Sequence, residues 1–352
     1  MTVQTHNDWD PLEEIIVGTA DYAMLPTLDK STHSFCYAAD TTEDIKHLDG
    51  ILHDKQIIDE ANQDLEQLSD TLKGLGVKVR RPDSINHTKK FSTPEWTSTG
   101  WYTYCPRDLL LPLDNMIIEC PSPMRSRYFE TRAYYKHLYE WMEQGTQWIC
   151  APKPILLDDS YQLDDIKDAT LLNKEIVFDA PNVVRLGRDL LCQVSNSGNM
   201  LGFQWLKTIL EPRGYRLHIA ERYYSFAHFD STVIPLRPGL VLFNGDRLNE
   251  NWYPPIFEKW DKIFWPGSKI ASVPANLPGG IAPCSPYIGL NLLSINPNLV
   301  IIDENQQELM KELQRWGIES IGLPNRQART LSGGFHCATL DVKRTGSLED
   351  YF

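Results

Sequence analysis

The sequence predicts an α/β fold, a five-bladed α/β propeller of ββαβ-type repeats around a central cavity. Three observations predict it. Five times, a helix-like segment stops and a short strand-like run follows. Paired apolar runs joined by tight polar turns lie between those helices. No Gly/Ser linker, charge block or low-complexity segment divides the 352 residues. Internal repeats of this size mark closed or stacked arrays. An ordinary mixed α/β sandwich is the alternative architecture.

The helical segments are, in order, DEANQDLEQLSDTLKGLG (59–76), SRYFETRAYYKHLYEWMEQG (126–145), GNMLGFQWLKTILEPRG (198–214), the weaker PPIFEKWD (254–261) and ENQQELMKELQRWG (304–317). In the first, Ile58, Ala61, Leu65, Leu68 and Leu72 recur at three-and-four spacing, which builds one apolar helix face. Four of the five close at a glycine (Gly74 or Gly76, Gly145, Gly214, Gly317), where a left-handed cap costs little. The runs DLLLPLDNMIIEC, VVRLGRDLLCQVS, VIPLRPGLVLFNG and LNLLSINPNLVIID have hairpin chemistry in their turns LDN, GRD, RPG and NPN.

Composition narrows the function. A hydrophobic content of 42% supports a large core. No apolar run reaches the length of a membrane span. The segment MTVQTHNDWDPLEEIIVG has neither the basic nor the apolar region of a secretory signal, so a cytoplasmic location is expected. A net charge of −13 argues against a nucleic-acid partner, whose phosphates require basic patches. It agrees weakly with a cationic small substrate. Seven scattered cysteines include no C-x-x-C pair, so neither a zinc ribbon nor a disulfide framework is expected.

Four places break the apolar pattern. In SGGFHCATL, Cys337 follows His336 in an apolar-looking strand; a thiol there is either buried structure or a nucleophile. In AHFDST, period-two spacing places His228 and Asp230 on one strand face. In EIVFDAPNVV, Asp179 lies between apolar runs and calls for a buried partner such as a histidine. Asp189 in the turn GRDLL is explained by the turn, so Asp179 is favoured over it. In YCPRDLLLPL, Asp108 opens an apolar strand and suits a planar cation such as a guanidinium. Cysteine, histidine and aspartate supply nucleophile, base and orienter; two further aspartates suit a cationic carbon electrophile.

At these residues the chain resembles the L-arginine-dependent amidinotransferases of the guanidine-modifying pentein superfamily. The resemblance runs through NDWDPLEEIIVGTA (7–20), YCPRDLLL (104–111), MRSRYFETRAY (124–134), APKP (151–154), FDAPNVVRLGRDLL (178–191), HFDSTVIPLRPGLVL (228–242) and SGGFHCATLDVKRTGSLE (332–349). It implies a five-bladed α/β propeller, here as a single catalytic domain over 1–352. It implies Cys337 as nucleophile, His228 as general acid/base and Asp179 as its carboxylate partner. Asp108 and Asp230 would hold the guanidinium; Arg247 and Ser285 would contact the donor's amino-acid end. The implied reaction is ping-pong transfer from L-arginine to a primary amine through an amidino-cysteine, with ornithine released and no cofactor or metal.

The segments NSGNMLGFQWL (196–206) and RQARTLSGGFHC, with the short N-terminus, resemble inosamine-phosphate enzymes more than glycine ones, and Asn182 stands where the glycine type carries an aspartate. Family members are often homodimers. The acceptor could be an inosamine phosphate, glycine or lysine. A phosphorylated one would want basic residues near the mouth, for which Arg125 and Arg127 offer themselves, although surface charge on a helix explains them more simply. Residues 222–227 are the candidate lid. A hydrolase of the same superfamily, yielding citrulline, and a non-catalytic binding propeller are the competing readings.

Overall fold

The computed structural model describes residues 3–36, 45–162, 170–224, 226–277 and 281–352. Among them, five three-stranded sheets share one pattern. Two strands pair as an antiparallel hairpin, and a third, reached through a crossover, pairs parallel to the second. The sheets comprise Leu110–Leu113, Met116–Glu119 and Gln147–Cys150; Val183–Leu186, Asp189–Gln193 and Arg216–Ala220; Val233–Arg237, Leu240–Asn244 and Asp261–Trp265; and Leu293–Asn296, Leu299–Asp303 and Glu319–Leu323. The fifth is made by both ends of the chain. Leu12–Val17 pairs antiparallel with Thr339–Arg344 and parallel with Lys78–Arg80.

The four expected hairpins all form. Their first strands are buried almost throughout, so they read as continuous apolar runs rather than alternating ones. The crossovers follow helical periodicity. Helix Lys55–Gly74 buries Ile57, Ala61, Leu65, Leu68 and Leu72, each large side chain contributing roughly 1.5–3 kcal/mol. Helix Met200–Leu210 starts at Asn199, whose side chain accepts the Gly202 N–H at 2.9 Å. Gly76, Gly145, Gly214 and Gly317 all take positive φ after their helices.

Two helices come out differently from expectation. Residues 126–145 split into 3-10 turns at Arg125–Arg127 and Glu130–Tyr134 before the α-helix Tyr135–Glu143. Arg125, Arg127 and Glu130 there are buried in ion pairs, so that stretch lacks the continuous polar face of an amphipathic helix. Residues 254–261 hold only the turn Pro255–Phe257. Two consecutive prolines and eight residues are too little for an α-helix. Among the described residues, no helix is long and apolar enough to cross a membrane.

Candidate active site

Five of the seven candidate residues share one kind of position, just ahead of a strand that pairs antiparallel in its sheet; Arg247 follows Leu240–Asn244 and Ser285 caps the 3-10 turn Pro286–Leu290. Asp108 ends the 3-10 turn before Leu110–Leu113. Asp179 caps the turn Ala180–Asn182 before Val183–Leu186. His228 and Asp230 precede Val233–Arg237, and Cys337 precedes Thr339–Arg344. The expectation that His228 and Asp230 share a strand face, and that Cys337 lies within a strand, is therefore corrected: all three sit in turns. A turn frees the backbone from the ladder. The Cys337 N–H donates to Asn291 Oδ1 at 2.9 Å instead of to a neighbouring strand. The preceding glycine is a packing requirement, because a Cβ on Gly333 would lie 2.5 Å from Cys105 Sγ.

These turns bring the side chains together. Cys337 Sγ, a nitrogen of His228 and a carboxylate oxygen of Asp108 lie within 4.8 Å of one another. His228 Nε2 meets Asp179 Oδ2 at 3.0 Å, and its Nδ1 lies 3.7 Å from Asp108 Oδ1. The Cys337 thiol donates to Asp230 Oδ2 at 3.2 Å. His228, Asp230 and Cys337 line one cavity with Phe35, Tyr224 and Ser285, about 440 Å³ out to its open mouth. Asp189 lies elsewhere, bonded to Arg216 and His218.

Electrostatics give each group a distinct state. Burial pushes His228 down, but Asp108 and Asp179 outweigh it and lift its pKa to about 9. The ring is therefore protonated near neutral pH. Burial, with Asp230 and Asp108 beside it, raises the Cys337 thiol well above its ordinary value. Burial also raises Asp108, against the pull of His228 and Arg127. It would raise Asp230 too, but the His336 ring, 2.8 Å away through Nδ1, holds that carboxyl well below its usual range. One oxygen each of Asp108 and Asp179 is buried without a hydrogen-bond partner. The cavity thus presents carboxylate acceptors beside an unionised thiol.

Arg247 donates to Ser285 Oγ at 3.1 Å and to Thr232 Oγ1 at 2.6 Å, with its guanidinium 3.5 Å from the Tyr224 ring centroid. The pair Arg247–Ser285 therefore stands at the cavity wall that Tyr224 forms. Of the candidate lid, Tyr224, Phe226 and Ala227 line the cavity, while Ser225 lies outside the described residues. Arg125 and Arg127 are not helix-surface charges. Arg125 donates to the Leu156 carbonyl and to Asp158, and fully buried Arg127 pairs with Asp108 and, through two bonds of 2.7 and 2.8 Å, with Glu130.

Sequence reasoning missed Asn291 and Glu130 as parts of the site; it noted His336 only as the neighbour of the cysteine and Arg127 only as a candidate for a phosphorylated acceptor. His336 adjoins the cysteine, and Arg127 lies in a quoted motif; nothing in the sequence pointed to their partners. Asp108, His228 and Cys337 are donor types that could in principle ligate a metal.

No family model matches the chain. Individual proteins match over nearly its whole length. It is 42% identical over 349 residues to inosamine-phosphate amidinotransferase 1 of Streptomyces glaucescens, covering 99% of both chains. It is 35% identical to the L-arginine:L-lysine amidinotransferase of Pseudomonas savastanoi pv. phaseolicola, covering 99% of this chain and 96% of the other. The solved inosamine-phosphate amidinotransferase of Streptomyces griseus superposes with a TM-score of 0.93 at 41% identity, covering 99% of each chain. A dimethylarginine dimethylaminohydrolase from Pseudomonas aeruginosa shares the fold alone, with a TM-score of 0.57 at 14% identity over 94% of this chain and 99% of that one.

Proposed function

Because the chain belongs to the amidinotransferase family, we propose that Cys337 carries the amidino group it moves from L-arginine to a primary amine. The observation behind this reading is the meeting of a thiol, an imidazole and a carboxylate oxygen within 4.8 Å.

Arginine enters with its guanidinium between Asp108 and Asp230. The open Asp108 oxygen accepts one of its N–H groups, and the cation offsets the two carboxylates that keep the thiol protonated. The Cys337 proton passes to solvent through the cavity mouth as the cation arrives, and the thiolate attacks the central guanidinium carbon, forming the C–S bond. His228 gives its proton to the departing nitrogen, the C–N bond breaks, and ornithine leaves. An S-amidino-cysteine and a neutral His228 remain. The acceptor amine then attacks the amidino carbon, His228 takes its proton, and the C–S bond breaks to restore the thiolate. General acid–base help of this kind is worth roughly 10²–10⁴-fold. Asp179 orients the ring through Nε2 and favours its charged form. Arg247 and Ser285 would receive the carboxylate end of the donor, and Tyr224 and Phe226 would keep water from the intermediate.

One catalytic domain over 1–352, with the five sheets as blades around an axis, accounts for this convergence. A second cavity lined by residues of four first strands, Leu110–Pro112, Val183–Arg185, Val233–Pro235 and Ser294, supports that arrangement. A product assay with arginine and a panel of amines tests the function. Ornithine that forms only with one amine, together with its guanidino product, is expected and names the acceptor. Citrulline from arginine alone would instead make the chain a hydrolase.

A further inference from the structure

A third cavity opens between residues 84–91 and the 3-10 segments 125–134, about 1,120 Å³ out to its mouth. It shares no lining residue with the catalytic one. Lys89, Lys90 and Arg132 line it, and none of the three has an ion-pair or side-chain hydrogen-bond partner among the described residues. In a chain of net charge −13, three unpaired cations around one cavity are out of keeping with the rest of the surface. Ser126 lines the same cavity. It is 2% exposed, and its hydroxyl has no hydrogen-bond partner. A buried hydroxyl left without a partner is destabilising unless a ligand or water meets it.

The cavity's one carboxylate, Glu130, does not compete. Both its oxygens are taken by Arg127, at 2.7 and 2.8 Å. The walls therefore offer donors: three cationic side chains, the Ser126 hydroxyl, and the Asn86 amide, whose oxygen is already engaged by Thr88. Phe91 and Phe129, in edge contact at 5.2 Å, form an apolar flank. Several donors of positive charge and one apolar flank suit a group with several acceptor oxygens carried on a small carbon skeleton.

We propose that this cavity is a second ligand site, which takes a small phosphomonoester through Lys89, Lys90, Arg132 and Ser126. The site is coupled to catalysis by contact. Glu130 in its wall holds Arg127, Arg127 holds Asp108, and Asp108 faces His228. Ligand binding should therefore change the apparent KM for arginine as well as register as binding.

Titration calorimetry on the full chain tests this, with glycerol phosphate and inorganic phosphate as probes and acetate as control. One equivalent of each phosphate is expected to bind, and acetate much more weakly. A Lys89→Ala/Lys90→Ala variant should lose phosphate affinity by at least about tenfold, the loss of one charge-assisted hydrogen bond, with basal turnover unchanged. Ser126→Ala should lose a smaller factor. Cys337→Ala should bind as the parent does, so failure of the catalytic reading would leave this result standing. Absence of phosphate binding, or binding that survives both the lysine and the serine variants, would overturn the proposal. Phosphate affinity lost only in Arg247→Ala would also overturn it, by moving the anion to the catalytic mouth.

Discussion

Two clusters of buried carboxylate lie in this protein, and they are finished to different degrees. Asp341, in the last strand, is wholly buried and has both oxygens engaged. Arg107 meets it at 2.7 Å, Arg185 at 2.8 and 2.9 Å, and Arg344 at 2.5 Å. Those arginines hold its carboxyl far below the usual range despite burial. Behind His228 in the wall of the catalytic cavity, Asp108 and Asp179 are just as buried, yet each keeps one oxygen unmet. An unmet acceptor in the interior costs about 1–3 kcal/mol. A guanidinium carries five N–H donors in one plane. The first cluster brings three arginines and ties strands together; the second has one, Arg127 on Asp108, and keeps an unmet acceptor on each carboxylate, as the proposed guanidinium site requires.

Substitutions can break that contrast. The largest effect on chemistry is expected from Cys337→Ala, which should lower turnover by at least about four orders of magnitude while its melting curve stays near the parent's. Ornithine release at the parental rate would end the nucleophile assignment. Next come two matched changes, compared by denaturant melts and kcat/KM for arginine. Asp341→Asn strips charge from a saturated cluster and should cost about 3–5 kcal/mol of stability. Asp108→Asn leaves Arg127 its second partner, Glu130, so it should cost less stability than Asp341→Asn, but roughly 10²–10³ in kcat/KM, the size of a lost transition-state contact. Equal stability losses would dissolve the distinction between the two clusters.

A smaller effect concerns pH. In the proposed mechanism His228 must hold its proton to release ornithine, so kcat/KM should fall about tenfold per pH unit above roughly 9. Its folded pKa is raised from 6.5, so the stability it lends is complete below pH 6.5 and is lost as pH rises through 9. In Asp179→Asn the alkaline limb should move to lower pH, because one of the two carboxylates that lift His228 is gone. A limb that stays in place would remove Asp179 from the account. The smallest expected effect sharpens the role of the carboxylates around the thiol. Burial and two aspartates keep Cys337 protonated in the empty cavity, so a cationic reagent should activate its own target. Chloroacetamidine is expected to alkylate Cys337 at least about tenfold faster than neutral chloroacetamide. Equal rates would show that a cation does not activate this thiol.

Much of this was legible in the sequence. Three of the five helix-to-strand units, the four hairpins and the left-handed glycines follow from local periodicity and turn chemistry, which are written in adjacent residues; the segments 126–145 and 254–261 departed from it. The fifth sheet was not, because Leu12–Val17 and Thr339–Arg344 meet from opposite ends of the chain, and no local pattern encodes that pairing. Cys337, His228, Asp179, Asp108 and Asp230 stood out because polar residues interrupted apolar runs. Arg127 hid for the opposite reason. In a helical, tyrosine-rich segment an arginine reads as surface, and only the fold reveals that it is buried against Asp108. Asn291 gave no signal, since an asparagine at a turn is ordinary until its Oδ1 is seen to hold the Cys337 N–H.

The most direct test of the central claim is mass analysis of the protein after incubation with arginine and no acceptor. The account predicts that the peptide containing Cys337 gains one amidino group as one equivalent of ornithine appears. It also predicts that the added mass disappears when the acceptor amine is supplied. An active enzyme with Cys337 unmodified throughout, or an amidino group found on another residue, would contradict it.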